Sequence, residues 1–258
     1  MDVNNVDSEN CAGFFGKIPS HGDFINRRVA RSFLDPWDSW LQQAISYSKE
    51  NLANAWMDIY LTSPIWNFYL APGVCGDQPM AGILMPSVDK VGRYFPLTIV
   101  NAISDQIASC DSAFSNQEWF RKAERLALTA LSDSFDFEEF DKKVGELHLD
   151  ANNSTTLDQT DLHPYGAMHL TLGPISNNSS NASNLANHFL TSTYSAQHSV
   201  WWSNGSQRMQ ACVIACTGLP PVDGFTAFLD GQWSNWGWHN GTDLSSSNKN
   251  SIDGMWNL

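Results

Sequence analysis

The side chains best suited to chemistry fall in two short segments of the sequence, residues 13–24 and 85–96. Both segments place Gly, Pro and charged residues between apolar positions that are typical of β-strands. This pattern predicts strand ends that turn into loops, where rigid neighbours hold the polar groups. The candidate binding residues in the two loops are Lys17, Ser20, His21, Asp23, Ser87, Asp89 and Arg93.

Ser20, His21 and Asp23 are the residue types of a serine hydrolase, but they lie within four residues of one another. A catalytic triad needs these groups to converge from separate elements, whereas neighbours along an extended loop point apart. The sequence also lacks the Gly-x-Ser-x-Gly elbow of α/β hydrolases. Lys17 follows a glycine, but the Gly-x-x-x-x-Gly-Lys-Ser/Thr run of a nucleotide-binding loop is missing. We therefore predict no catalytic residue and no enzyme.

A metal- or anion-dependent phosphoesterase that uses Ser20, Asp23, Asp89 and Arg93 is the enzymatic alternative. Its metal site would need several carboxylate or His ligands, and Asp23, Asp89 and His21 offer three. Because ligand sets of this size also arise by chance, the sequence predicts neither a metal nor a cofactor.

A structural ion pair between Asp23 and Arg93 is the interpretation that we favour. Both residues lie in loops flanked by aromatic residues, where a charge needs a partner. Such a pair would lock the two loops together, with Ser20 and Ser87 donating hydrogen bonds. Lys17 and Lys90 are expected beside this pair in the same two loops, so binding of an anionic ligand is the alternative.

The composition indicates a folded protein with an acidic surface. Of 258 residues, 42% are hydrophobic and eleven are Trp, which supports a packed core. The net charge of -13 argues against binding to nucleic acid, and a basic partner or simple solubility would explain it. The one basic run, Arg27, Arg28 and Arg31, is short, and a solvated helix face is favoured for it over a polyanion site.

The same sequence predicts a cytoplasmic protein with reduced thiols. The first residues lack the apolar core of a signal peptide, and no apolar run approaches the roughly twenty residues that span a bilayer. Five scattered cysteines include no Cys-x-x-Cys pair. Cys212 and Cys216 would share one face of a strand, about 13 Å apart, too far for a disulfide within it.

Apolar periodicity predicts the elements that position the loops. A helix is expected to begin with Asp35 as N-cap and Pro36 at its first position. Its core-facing stripe consists of Trp37, Trp40, Leu41, Ala44 and Ile45. Further helices are predicted over residues 116–131, 137–147 and 223–229. Strands are predicted over residues 14–18, 65–71, 80–85, 95–103, 169–172, 199–203 and 210–217, the last two as a hairpin around Asn204-Gly205.

These elements predict an α/β fold with a mixed central sheet and helices on both faces. One domain is expected over residues 13–239, with Asn- and Ser-rich insertions near 150–160 and 176–187. Residues 1–12 are expected to be flexible, and residues 240–258 to form a low-complexity tail.

Three tryptophans are candidate interface aromatics: Trp202, Trp233 and Trp236. Trp201 and Trp202 are adjacent in a predicted strand and so face opposite sides of the sheet. If a helix covers Trp202, it is a core residue, and if not, it is a partner surface. For Trp233 and Trp236, an interface and packing of the terminal segment onto the domain are equal alternatives.

The two loop segments resemble the TagF (ImpM) family of proteins that accompany bacterial type VI secretion. The Gly-Lys-x-Pro-x-x-Gly-Asp-Phe element stands at residues 16–24, and Met-Pro-Ser-Val-Asp-x-x-Gly-Arg-x-Phe-Pro at residues 85–96. Leu-x-Pro-Gly-x-Cys-Gly stands between them at residues 70–76. The later Trp-Trp and Gly-Leu-Pro pieces match residues 201–202 and 218–220.

The resemblance implies a three-layer α/β/α sandwich and a protein that negatively regulates type VI secretion after translation. It also implies a protein partner in the apparatus, such as a forkhead-associated scaffold protein, since some family members act through one. Some members are fused to a phosphatase domain, but the family offers no catalytic residue to transfer. His21 stands where the family pattern favours Arg, which weakens an anion-binding role at that position. A structural subunit of the apparatus remains a further alternative.

Overall fold

A computed structural model describes residues 11–103, 113, 116–149, 167–171 and 197–240. Their strands are β1 Gly13–Gly16, β2 Ile25–Arg27, β3 Trp66–Leu70, β4 Met80–Met85, β5 Leu97–Ala102, β6 Ala167–Thr171, β7 His198–Ser203, β8 Cys212–Thr217 and β9 His239–Asn240. Their helices are α1 Arg31–Leu52, α2 Trp56–Leu61, α3 Gln117–Thr129, α4 Phe137–Gly145 and α5 Thr226–Asp230, with 3-10 turns at Ala53–Ala55 and Trp233–Trp236.

The strands form one sheet in the order β2-β1-β5-β4-β3-β7-β8-β6-β9. Neighbouring strands are antiparallel except β6 and β9, which are parallel. The expected α/β class is confirmed. None of the helices in the described part of the chain is long and apolar enough to cross a membrane.

The two faces of the sheet pack against different helices. Trp201 on β7 lies in the core formed with α1, α2 and α5, and its ring stacks on Trp37 at 5.9 Å. Trp202 points to the other face and meets Phe120 of α3 at 4.8 Å in the core that also includes α4. The predicted opposite orientation of the two indoles is therefore confirmed. Because both faces are covered, β3 is buried at every position.

Helix α1 begins earlier than the capping signal predicts. Its N-cap is Ala30, which makes no side-chain capping hydrogen bond, and Pro36 lies inside the helix. The prediction that Asp35 and Pro36 open the helix is therefore wrong. The longer helix brings Phe33 onto Trp37 at 5.2 Å, and burial of this ring outweighs the local capping preference. The predicted apolar stripe of α1 is buried throughout.

Most predicted strands match within two residues, but the two-residue β9 was not predicted, and neither was β2. It is three residues long and buries only Ile25, so it carries no period-2 signal. The assignment of Arg27 and Arg28 to a solvated helix face is wrong. Arg27 is in β2, Arg28 follows with a left-handed φ of 58°, and both guanidinium groups form ion pairs with Asp141 of α4.

The described cysteines are free thiols. Cys212 and Cys216 lie in the same core, as their spacing predicts, and Cys75 joins them there. Burial raises the pKa of all three thiols to about 12, so they are protonated at neutral pH. Residues 1–10, the predicted insertions near 150–160 and 176–187, Cys110 and the tail from 241 lie outside the described residues.

Candidate functional site: two joined loops at one end of the sheet

Two loops leave the same end of the sheet. The β1–β2 loop spans residues 17–24, and the β4–β5 loop spans residues 86–96. Because β5 pairs with both β1 and β4, the end of β1 lies beside the start of β5. The sheet therefore brings together the two segments that the sequence singled out.

Gly16 makes the close approach of the two loops possible. It has a φ of +135°, and a Cβ at this position would lie 2.1 Å from the carbonyl oxygen of Pro96. Only glycine fits both the backbone conformation and the space. The end of β1 therefore passes the β4–β5 loop at backbone contact distance.

Asp89 is the centre of the site. Its side chain is fully inaccessible to solvent, yet it is surrounded by donors. Its Oδ1 accepts hydrogen bonds from the backbone N–H groups of Val91 at 3.0 Å and Arg93 at 2.9 Å. Its Oδ2 accepts from Arg93 Nε at 2.7 Å and lies 3.0 Å from Lys17 Nζ. Burial acts to raise the pKa of Asp89, but these donors outweigh it and hold the pKa well below its usual range.

Contacts across the gap join the loops on either side of this carboxylate. The backbone N–H of Lys90 donates to the carbonyl oxygen of His21 at 2.9 Å. Arg93 Nη2 donates to the carbonyl oxygen of Gly22. Lys17, in the β1–β2 loop, provides the ion pair to Asp89. Hydrogen bonds and an ion pair between the two loops therefore hold them together.

The expected ion pair between Asp23 and Arg93 is wrong. Arg93 pairs with Asp89, four residues earlier in its own loop, while Asp23 is exposed and its Oδ1 accepts from the N–H of Phe24 at 2.8 Å. The physical reason is solvation. An exposed carboxylate is stabilised by water, whereas the buried Asp89 needs charged donors, and it pairs with both Lys17 and Arg93.

Ser20 and Ser87 do not play the expected part in joining the loops. Ser20 Oγ lies 2.9 Å from His21 Nδ1, so these neighbours meet rather than point apart. The His21 ring also packs on Phe137 of α4 at 4.6 Å. Within the described residues, Ser87 Oγ is buried without a hydrogen-bond partner. The Asp23 carboxylate accepts from the N–H of Phe24, and within the described residues no hydrogen bond joins it to His21.

Tyr60 and Phe24 are site residues that the sequence reasoning missed. Tyr60, on α2, places its hydroxyl 3.0 Å from both the N–H and the carbonyl oxygen of Ser87. Burial raises its pKa well above the usual range. The Phe24 ring stacks on Phe15 at 5.6 Å and lies 4.8 Å from Lys17 Nζ. No pattern pointed to Tyr60, but Phe24 belongs to the quoted β1–β2 loop motif.

The three candidate interface tryptophans pack against the domain. Trp202 is buried beneath α3, so of its two alternatives the core residue covered by a helix is the one observed. Trp233 is half-buried and lies 6.1 Å from the ring of Trp66. Trp236, also half-buried, donates from Nε1 to Asp230 at 2.9 Å. These contacts fit the packing alternative for the segment after α5.

The described residues contain no group of three or more His, Cys, Asp or Glu side chains placed to hold a metal ion. His21 rests on Phe137, and both Asp89 oxygens are occupied by protein donors. These residues do not fit a metal centre in the arrangement that the structure gives them.

Fold and site together define a mixed α/β protein whose sheet-end loops are rigidly joined around a buried, ionised carboxylate. The model of the TagF N-terminal domain, described as type VI secretion system-associated, matches residues 13–147, which include both loops. The chain belongs to the TagF family.

A solved structure is similar over most of its length. The crystal structure of PA0076 from Pseudomonas aeruginosa PAO1 is 33% identical in sequence, with a TM-score of 0.67. The match covers 86% of this chain and 94% of that one. A comparison with curated proteins gave no match. The resemblance inferred from the loop motifs is therefore confirmed at the level of the family.

Proposed function

We propose that this protein is a non-enzymatic accessory protein that represses type VI secretion after translation by binding a component needed for assembly. Membership of a type VI secretion-associated family supports the biological setting. The observation that carries the binding role is the pairing of charges within and between the two loops. Asp89 forms ion pairs with both Lys17 and Arg93, and these pairs hold the outer surface of the β1–β2 and β4–β5 loops in one arrangement.

The state of Asp89 favours binding over a phosphoesterase. A general base must reach its substrate and carry a pKa near the working pH. Asp89 is inaccessible, and its pKa is held well below the usual range. Loops fixed before association, by contrast, lose little conformational entropy when a partner binds. The site has the properties of a recognition surface.

We infer the partner, the compartment and the working unit from the family resemblance and from the packing of the helices. The partner would be a forkhead-associated scaffold protein, and the protein would act in the cytoplasm. The working unit would be residues 13–239, arranged as a three-layer α/β/α sandwich. Packing of α1, α2 and α5 on one sheet face and of α3 and α4 on the other supports this arrangement.

Secretion of the apparatus's tube protein in the native host tests the proposal. Deletion of the gene is expected to raise secretion, and overexpression is expected to lower it. Transcript levels of the apparatus genes should stay constant, because the repression acts after translation. Loss of secretion on deletion would instead identify a structural subunit and contradict the regulator.

A direct binding measurement completes the test. The purified full chain is titrated with the host's forkhead-associated scaffold protein, and a complex is expected. Repression in the host without a measurable complex would refute this partner but leave the regulatory role in place.

A further inference from the structure

The tip of the β4–β5 loop exposes apolar side chains on a rigid base. Val91 is 68% exposed, the highest value among the large hydrophobic residues described, and Phe24 of the joined β1–β2 loop is 43% exposed. Asp89 fixes the tip by accepting hydrogen bonds from the N–H groups of Val91 and Arg93. Apolar side chains held out on an ordered loop are typical anchors of protein interfaces.

The joined loops are also cationic, against the charge of the chain. The two loops hold three cations and two carboxylates, whereas the whole chain has 27 acidic and 14 basic residues. Lys17 and Asp89 are buried against each other, so the solvent-facing charges are those of Lys90, Arg93 and Asp23. An acidic partner segment is therefore attracted to this tip and repelled by the rest of the surface.

Two donors at the tip are available to a partner. The Arg93 side chain is 57% exposed, and its Nε and Nη2 are used by Asp89 and Gly22. Within the described residues, its Nη1 has no hydrogen-bond partner, and the exposed Lys90 side chain forms no ion pair. Apart from its chain neighbours, no atom of the described residues lies within 4 Å of a Cβ built on Gly92, so a partner backbone can approach between Lys90 and Arg93. A guanidinium held in this way presents a fixed edge to a carboxylate.

We propose that the loop tip formed by Phe24, Lys90, Val91 and Arg93 docks an acidic segment of a protein partner that also carries an apolar side chain. Carboxylates of the segment contact Lys90 and Arg93, while its apolar side chain covers Val91 and Phe24. The inference rests on the proposed function, because it describes the partner surface of that same site.

The first experiment uses variants that leave the Asp89 contacts in place. Val91→Ser and Lys90→Glu, alone and together, change only exposed side chains. Leu128→Ser and Lys122→Glu, on the exposed side of α3, are the matched controls. The purified full chain is titrated with the host's forkhead-associated scaffold protein, from about 50 mM to about 300 mM NaCl.

The double tip variant is expected to bind at least about tenfold more weakly than the wild type, and the controls to bind within about threefold of it. Wild-type affinity should fall as NaCl rises, and Lys90→Glu should flatten that dependence. Equal affinity of the tip variants and the controls, with folded proteins, would overturn the docking surface.

A second experiment tests the docking surface if the scaffold protein does not bind. A photo-cross-linking amino acid replaces Val91, or Leu128 as control, in the full chain expressed in the native host. The expected adduct at position 91 maps to an acidic, apolar-bearing segment of an identified apparatus component, and Lys90→Glu removes it. No adduct, an adduct to a second copy, or an adduct to the chain's own residues would refute the inference.

The two proposals fail separately. If deletion does not raise secretion but position 91 cross-links such a segment, the docking surface stands and the repressor is wrong. If deletion raises secretion but the tip variants repress as well as Leu128→Ser and Lys122→Glu, the repressor stands and the docking surface is wrong.

Discussion

Tyr60 connects α2 to the base of the β4–β5 loop through a single hydroxyl group. Its Oη donates to the carbonyl oxygen of Ser87 and accepts from the N–H of Ser87, both at 3.0 Å. The carbonyl oxygen of Ser87 also accepts from the N–H of Phe95 at 3.1 Å. In Tyr60→Phe, this oxygen keeps one partner, whereas the buried N–H of Ser87 loses the hydroxyl as its acceptor.

The loss of stability in Tyr60→Phe comes mainly from the unpaired N–H of Ser87. A buried donor left without its partner costs about 1–3 kcal/mol, and the oxygen removed leaves little space behind. We expect Tyr60→Phe to lower the free energy of unfolding by about 2 kcal/mol. For a domain of this size, that corresponds to a fall in Tm of about 4–8 °C. Because burial raises the pKa of Tyr60, the loss should be the same throughout the neutral pH range.

Urea unfolding followed by Trp fluorescence measures this loss, and Tyr94→Phe is the matched control. Tyr94 packs on Tyr60 with ring centroids 5.8 Å apart, and its hydroxyl forms no hydrogen bond within the described residues. The control should change stability by less than about 0.5 kcal/mol. Equal effects of the two substitutions would show that the hydroxyl of Tyr60 does not hold the loop, and would refute this account of the site.

Two further predictions concern the contact between the loops. Gly16→Ala should destabilise the fold by about 2 kcal/mol or more, because its Cβ meets the Pro96 carbonyl oxygen. Gly22→Ala should be near neutral by the same urea assay, because apart from its chain neighbours no atom of the described residues lies within 4 Å of the added Cβ. Asp89→Asn should lower stability at pH 7. Since the folded pKa of Asp89 is depressed, its contribution is present above the unfolded pKa and is lost as pH falls, so the deficit should shrink below about pH 4. A deficit in Asp89→Asn that is independent of pH, or one that Asp23→Asn reproduces, would contradict the role of the buried carboxylate.

Elements with a strong apolar period could be predicted from the sequence. The strand at Met80–Met85 was predicted at its observed bounds, and the stripe of α1 is buried as expected. Their hydrophobic faces carry the information, because burial stabilises them more than any local preference. The start of α1 was predicted wrongly for the same reason, since the packing of Phe33 on Trp37 outweighs the capping signal at Asp35.

The members of the candidate site were easier to predict than their partners. The sequence placed Asp23, Asp89 and Arg93 in neighbouring loops, but it did not show which carboxylate is buried. One local signal favours Asp89. A side chain that precedes a tight turn can accept from backbone N–H groups two to four residues later, and Gly92, with a φ of +84°, completes that turn. The contact of Tyr60 with Ser87 depends on tertiary packing, so no local sequence pattern predicts it.

The loops also depend on residues beyond the part of the chain that the family model matches. That match ends at residue 147, but β7, which follows it in the sequence, pairs with the edge of β3 that β4 does not cover. Trp201 of β7 stacks on Trp37, and Trp40 Nε1 donates to the carbonyl oxygen of Pro220 at 2.8 Å. Without these later residues, β3 would become an exposed edge strand and the indoles of α1 would lose part of their cover. Trp37 of α1 also donates a hydrogen bond from Nε1 to Thr98 of β5. If α1 is destabilised, β5 loses this contact, and β5 is the strand that the β4–β5 loop leads into. Tests of the loop surface therefore require the full chain.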